Sequence, residues 1–209
     1  MTISSLATAA GTLVLAGATF SAVRSANRSA RIAEQALQEQ RRPLLVDARA
    51  GSPPQKVMFA DGHWLRAEPG QAAIDEDDAT LYLGITVRNV GAGIAVLQGW
   101  YPWAEQVRRD VDHARLEEFH RQLRDIYIAP GDTGMWQGAL RAEDGEIAAR
   151  LRAAGTTRRP FTIDLLYSDQ VGDQRTITRF GISPAGEDRW LSSAGIHWNL
   201  DVAGPRDDH

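Results

Sequence analysis

The 209-residue chain contains no cysteine. That excludes disulfide frameworks, thiolate zinc sites, iron–sulfur clusters and cysteine nucleophiles. Lysine is nearly absent too: Lys56 stands beside 22 arginines. With alanine and glycine abundant, this arginine usage reads as GC-rich coding rather than a surface selected for phosphate. The chain also lacks an excess of positive charge, with a formal net charge of −4. Residues 1–42 carry +3 and residues 43–209 carry −7. An acidic body on a basic neck argues against a general DNA or RNA binder, whose affinity rests on neutralising phosphates. What remains, 43% apolar and 24% charged residues, suits one globular domain with an appendage and excludes a wholly disordered or collagen-like chain.

Charged side chains are missing altogether from Ile3 to Val23. At ~1.5 Å rise per residue, a helix of these 21 residues covers the roughly 30 Å apolar thickness of a bilayer. The expectation is a transmembrane anchor over 1–24, acting as a signal-anchor and not cleaved, because no Lys or Arg precedes the apolar stretch. Arg24, Arg28 and Arg31 all follow it, which by the positive-inside rule places the body in the cytoplasm. Small residues four apart, such as Ala7 with Gly11, allow a homo-oligomer through the anchor. The helical period continues through Ala26, Ala30, Ala33 and Leu37, a two-heptad seam that predicts a juxtamembrane stalk over 25–42, ended by Pro43.

Beyond Pro43 the period changes to two. Strands are predicted at Leu44–Ala48, Val57–Ala60 and His63–Arg66 across a two-residue Asp61-Gly62 turn, Thr80–Val90, Ile94–Trp103, Asp125–Ile128, Met135–Leu140, Phe161–Tyr167, Arg175–Ile182 and Arg189–Leu200. In the Thr80 run, Leu81, Leu83, Ile85 and Val87 form a buried face and Thr80, Tyr82, Thr86 and Arg88 a solvated one. Two helices interrupt the pattern, Asp112–Gln122 capped by Asp112 and Ala142–Ala154 stopped by Gly155. Together these elements predict a mainly β domain over 43–202, an antiparallel β-sandwich with two short inserted helices, and a disordered tail over 203–209.

The run Arg42-Pro43-Leu44-Leu45-Val46, then Val87-Arg88-Asn89-Val90-Gly91-Ala92-Gly93-Ile94-Ala95, Ile128-Ala129-Pro130-Gly131-Asp132 and Tyr167-Ser168-Asp169 with Gly172, resembles a group of uncharacterised bacterial single-pass membrane proteins with an immunoglobulin-like β-sandwich. The resemblance covers most of the chain and implies a fold and a tether, with no catalytic residues or cofactor. Within its glycine run, Asn89 is expected to hydrogen-bond the turn backbone, and Gly91 and Gly93 to take positive φ. The run is not a phosphate cradle, because strand rather than helix follows it.

Chemistry-bearing candidates are few. His113, Glu117 and His120, four and three apart, would share one face of the first helix, with Asp110 or Asp112 as a further oxygen donor. Such a set could hold zinc with an open position for water, giving a metal-dependent hydrolase as the alternative reading. A solvated helix face is the expectation preferred for it, and no metal site or cofactor is assigned. Asp75-Glu76-Asp77-Asp78 lacks the spacing of a calcium loop and is expected to be a solvated acidic loop. Trp100, Tyr101 and Trp103 cluster at one strand end and are the candidate contacts for a ligand or partner. The function expected is a membrane-tethered, non-enzymatic interaction or scaffolding module of an unidentified protein partner. An extracytoplasmic sugar- or wall-binding domain is the remaining alternative.

Overall fold

The computed structural model describes residues 3–201, except for the side chains of 3–14, Gln35 and Glu39. The chain divides into two compact units, residues 1–40 and 41–209. The first is a single helix, α1 (Ile3–Glu39), which runs without interruption through the segments assigned from sequence to anchor and stalk. Leu15, Phe20, Val23, Ile32 and Leu37 all lie exposed along it. Thr19 Oγ1 donates to Leu15 O and Ser21 Oγ to Ala18 O, so hydroxyls at these positions are satisfied within the helix. Among the described residues no helix is long and apolar enough to cross a membrane, so the expected transmembrane helix gains no support from the fold. The expected tail, 203–209, lies outside the described residues.

The second unit is mainly β. Its strands are β1 (Leu45–Asp47), β2 (Gln55–Met58), β3 (Trp64–Ala67), β4 (Gln71–Asp77), β5 (Thr80–Asn89), β6 (Ala95–Trp103), β7 (His120–Ile128), β8 (Thr133–Leu140), β9 (Phe161–Ser168), β10 (Thr176–Ala185) and β11 (Arg189–Asn199). Nine of them form one antiparallel sheet in the order β1-β5-β4-β11-β10-β9-β6-β7, with β8 on the other edge of β5. The sheet curls until its ends, β7 and β8, meet: Gln122 Nε2 donates to Gln137 O at 3.3 Å. The expected pair of stacked sheets is thus one curled sheet, with the separate β2–β3 hairpin laid on its outside.

The main core fills the inside of the curl. Alternate residues of β9, Phe161, Ile163, Leu165 and Tyr167, meet Phe180 and Ile182 of β10, Leu81, Leu83, Ile85 and Val87 of β5, and Trp136 of β8. Tyr167, fully buried, accepts from Leu45 N at 3.1 Å and lies 2.8 Å from Thr178 Oγ1. Burial pushes its phenol up to about 12.

The face of β5 expected to be solvated is covered. Phe59 and Leu65 of the hairpin pack on Tyr82 and Met135, while Thr86 Oγ1 donates to Glu68 O and accepts from Gly70 N. The hairpin turn has three residues rather than two: Phe59 N donates to His63 O, and Gly62 sits at φ 89° after a β-turn closed by Gly62 N to Phe59 O. The acidic run is not a loop either. Asp75, Glu76 and Asp77 end strand β4, and Asp78-Ala79, both at positive φ, make the two-residue turn into β5.

Of the two expected helices, one forms. It is α2 (Gly145–Thr156), preceded by a single 3₁₀ turn at Ala142–Asp144. It runs one residue past Gly155 to Thr156, and the chain turns away at the left-handed Arg158, φ 50°. The Arg158 guanidinium donates to the Gly186 and Arg189 carbonyls, which holds this left-handed residue in place. Over Asp112–Gln122 there is only a 3₁₀ turn, Leu116–Glu118, before β7 begins at His120.

Asn89 of β5 ties together the starts of β1 and β6 and the end of β7. Its Oδ1 accepts from Leu44 N and Gly91 N, and its Nδ2 donates to Gly93 O and Ile128 O. Gly91 and Gly93 do not take positive φ. They are glycines because the 41–44 backbone passes so close that a Cβ at Gly91 would collide with the Arg42 carbonyl, and one at Gly93 with that of Arg41.

Candidate functional site

The side chains that were candidates on sequence do not come together. Without a helix, His113, Glu117 and His120 lose their shared face. His113 lies in the loop, with Nδ1 2.7 Å from Ala114 O and its ring edge-on to Trp198. His120 stacks on Trp100 at 4.7 Å and its Nδ1 is 3.9 Å from Asp144, while Glu117 is exposed. Among the described residues no group of three or more His, Cys, Asp or Glu side chains could hold a metal ion.

The aromatic triplet is split between the two faces of β6. Trp100 points inward, 4% exposed, with its ring against Trp136. Tyr101 and Trp103 point outward into a second apolar cluster with Leu116, Phe119, Leu166 and Trp198. At the centre of that outer face lies a buried ion pair. Arg179 Nε and Nη2 each donate to Asp164 at 2.8 Å, and Trp103 Nε1 donates to the same carboxylate at 2.9 Å. The guanidinium also donates to the Val111 and Asp112 carbonyls and lies over the rings of Trp103 and Trp198. This cluster clamps the 104–119 connection onto the sheet and leaves Trp100 and Trp103 little surface for a ligand.

The acidic end of β4 is likewise engaged. His63 stacks on Tyr82 at 3.9 Å with its ring nitrogens 3.2 Å from Asp75 and 3.7 Å from Asp77. Arg152 Nε is 3.4 Å from Glu76. Tyr82 donates to Asp61 at 2.8 Å; that bond holds the Asp61 carboxyl below its usual range, while burial and the same carboxylate raise the Tyr82 phenol.

The open site lies elsewhere, where the curled sheet meets itself. A groove of about 670 Å³ runs between the β2–β3 turn region and the β7–β8 junction. Three large apolar side chains stand along it: Met58 is 48% exposed, Trp64 53% and Leu123 91%. Four cations line it, Lys56, Arg121, Arg124 and Arg141, and among the described residues no acidic one does. Lys56 Nζ sits 4.3 Å above the Trp64 ring, and Arg124 reaches across to donate to Met58 O at 3.2 Å. Two acceptors there are unused. Gln122 spends its Nε2 on the Gln137 carbonyl, leaving Oε1 without a partner, and the Oε1 of Gln137, a residue only 7% exposed, has none either.

Sequence reasoning missed this groove because its residues come from three separated segments. The signals available were weak ones: the only lysine, Lys56, and the run Arg121-Gln122-Leu123-Arg124, which puts an apolar side chain among cations. No protein-family model, no curated protein and no solved structure matches the chain.

Proposed function

We propose that this protein is a non-enzymatic interaction module that engages a protein partner through the groove between the β2–β3 hairpin and the β7–β8 junction. The observation that carries this reading is the exposure of Met58, Trp64 and Leu123 along one cationic groove. Solvated Trp and Leu side chains along one groove cost hydration free energy that a partner's contact recovers, and aromatic, Met and Arg side chains are the ones enriched at such contacts. An antiparallel β body that presents such a groove suits a carried binding domain.

The uncharged stretch 3–23 supports a membrane tether for this module, and the arginines after it support a cytoplasmic body. A reporter active only outside the cytoplasm, fused after His209, is expected to be silent. An active reporter would instead favour the extracytoplasmic sugar- or wall-binding alternative.

A photo-crosslinking residue at Leu123 in living cells is expected to give a discrete protein adduct. The same residue at Glu187, in the exposed β10–β11 turn, is expected to give none. Adduct at neither position, or equally at both, would contradict the groove as the contact surface.

A further inference from the structure

We propose that the occupant of the groove is an extended, acidic peptide segment of a partner protein with apolar residues interspersed among its carboxylates; this rests on the interaction-module reading above. Three features of the groove select that chemistry.

Charge is the first. The body as a whole is acidic, at −7 for residues 43–209, yet the groove lining holds Lys56, Arg121, Arg124 and Arg141 and, among the described residues, no carboxylate. The nearest acid, Asp61, is 3.5 Å from Arg141 and already accepts from Tyr82. The other three cations have no carboxylate partner across the groove among the described ion pairs, so anionic side chains are favoured and cationic ones repelled.

The second is the apolar set. Met58, Trp64 and Leu123 come from both walls, so a segment lying between them can bury alternate side chains on either side. The third is an open strand edge. Among the described residues β7 forms a ladder only with β6, so its far edge carries backbone N–H and C=O groups outside any ladder, which an extended peptide can pair with and an acyl chain or a simple phosphate cannot.

Single-stranded nucleic acid also offers anionic groups, stacking faces and N–H donors. The acidic body disfavours it, and it enters the test as a competing outcome.

The test uses the purified full-length chain and fluorescein-labelled probes read by anisotropy. These are an octapeptide alternating Leu and Glu, the same peptide with Lys for Glu, the Leu/Glu peptide N-methylated at alternate amides in each of the two phases, and an eight-nucleotide oligo-dT. The Leu/Glu peptide is expected to bind at least about ten-fold more tightly than the Leu/Lys peptide and than oligo-dT. N-methylation in one phase is expected to weaken it by about ten-fold and in the other phase to have little effect. Raising salt is expected to weaken binding without abolishing it. The variant Arg121→Glu with Arg124→Glu is expected to reverse the preference between Glu and Lys peptides.

Equal binding of the Leu/Lys peptide, tighter binding of oligo-dT, or indifference to N-methylation in both phases would overturn the proposal. These outcomes are read on the unaltered protein and do not depend on the variant folding. If no peptide binds while Leu123 still crosslinks to a protein in cells, the peptide chemistry is wrong and the interaction reading stands. If both fail, the interaction reading falls with it.

Discussion

At the scale of single residues, the polar side chains that reach the interior each close a defined gap in backbone hydrogen bonding. Asn89 uses both of its amide atoms twice, tying β5 to the starts of β1 and β6 and to the end of β7 and closing backbone donors and acceptors there. Asp47 shows the limit of this arrangement. Its Oδ2 accepts from Ala194 N at 2.8 Å, its Oδ1 has no partner, and burial raises its pKa above 3.8 despite that bond. A carboxyl raised in the folded state binds its proton more readily there than in the unfolded chain. Its contribution to stability is therefore greatest at low pH and is lost as pH rises through the folded value.

Arg179 is the most consequential single side chain. It is 4% exposed, and Asp164 is fully buried, so neither charge can be hydrated if its partner is removed. Arg179→Ala is expected to destabilise the β body by about 3–5 kcal/mol, because it leaves the Asp164 carboxylate buried with only Trp103 to donate to it. Chemical denaturation followed by tryptophan fluorescence measures this. A loss under ~1 kcal/mol would show that the pair carries no more than a solvated surface bridge.

At the scale of elements, period-two alternation placed most strands well, because a strand with one face in the core must put apolar residues at every second position. The strands of β5, β6, β8, β9, β10 and β11 were legible for that reason. Where the sequence misled, a tertiary contact overrode local preference. The segment 112–122 has helical spacing and a capping Asp, but the Asp112 carbonyl that would close the first helical turn accepts from Arg179 instead. Ala114 and Phe119 are drawn into the outer-face cluster at positions no helix could supply together. Strand β4 was hidden by its own composition, since Asp and Glu have poor strand propensity, and its ladder to β5 supplied what the residues do not. The solvated face assigned to β5 was wrong for a related reason: a hairpin made by residues 55–67 covers it, and nothing within β5 announces a neighbour.

The glycines carry the same lesson. Their presence at 91 and 93 was legible as a requirement for small residues, but whether that requirement was a turn or a close approach depended on the 41–44 segment, some 50 positions earlier in the chain. The aromatic triplet was legible as a cluster and misplaced as a platform. Strand alternation itself sends Trp100 to one side of the sheet and Tyr101 with Trp103 to the other, where Ala114, Leu116 and Phe119 of the following connection pack against them.

At the scale of the whole molecule, the site lies where the curled sheet meets itself. Strands β7 and β8 are the ends of one strand order, joined by a side-chain hydrogen bond rather than a ladder, and the β2–β3 hairpin walls the space beside them. No local segment encodes such a place; it exists only once residues near 58, 123 and 137 are brought together by the curl. The groove is also the region where apolar exposure and positive charge coincide on an otherwise acidic body, which makes it the surface through which the molecule is proposed to act.

The most direct measurement is hydrogen–deuterium exchange of the full-length chain with and without a saturating Leu/Glu octapeptide. Protection is predicted at backbone amides of 121–126 in β7 and 55–58 in β2, with no change at 101–103 or 197–199. Protection centred on 101–103 and 197–199, or none anywhere, would contradict the groove as the site of interaction.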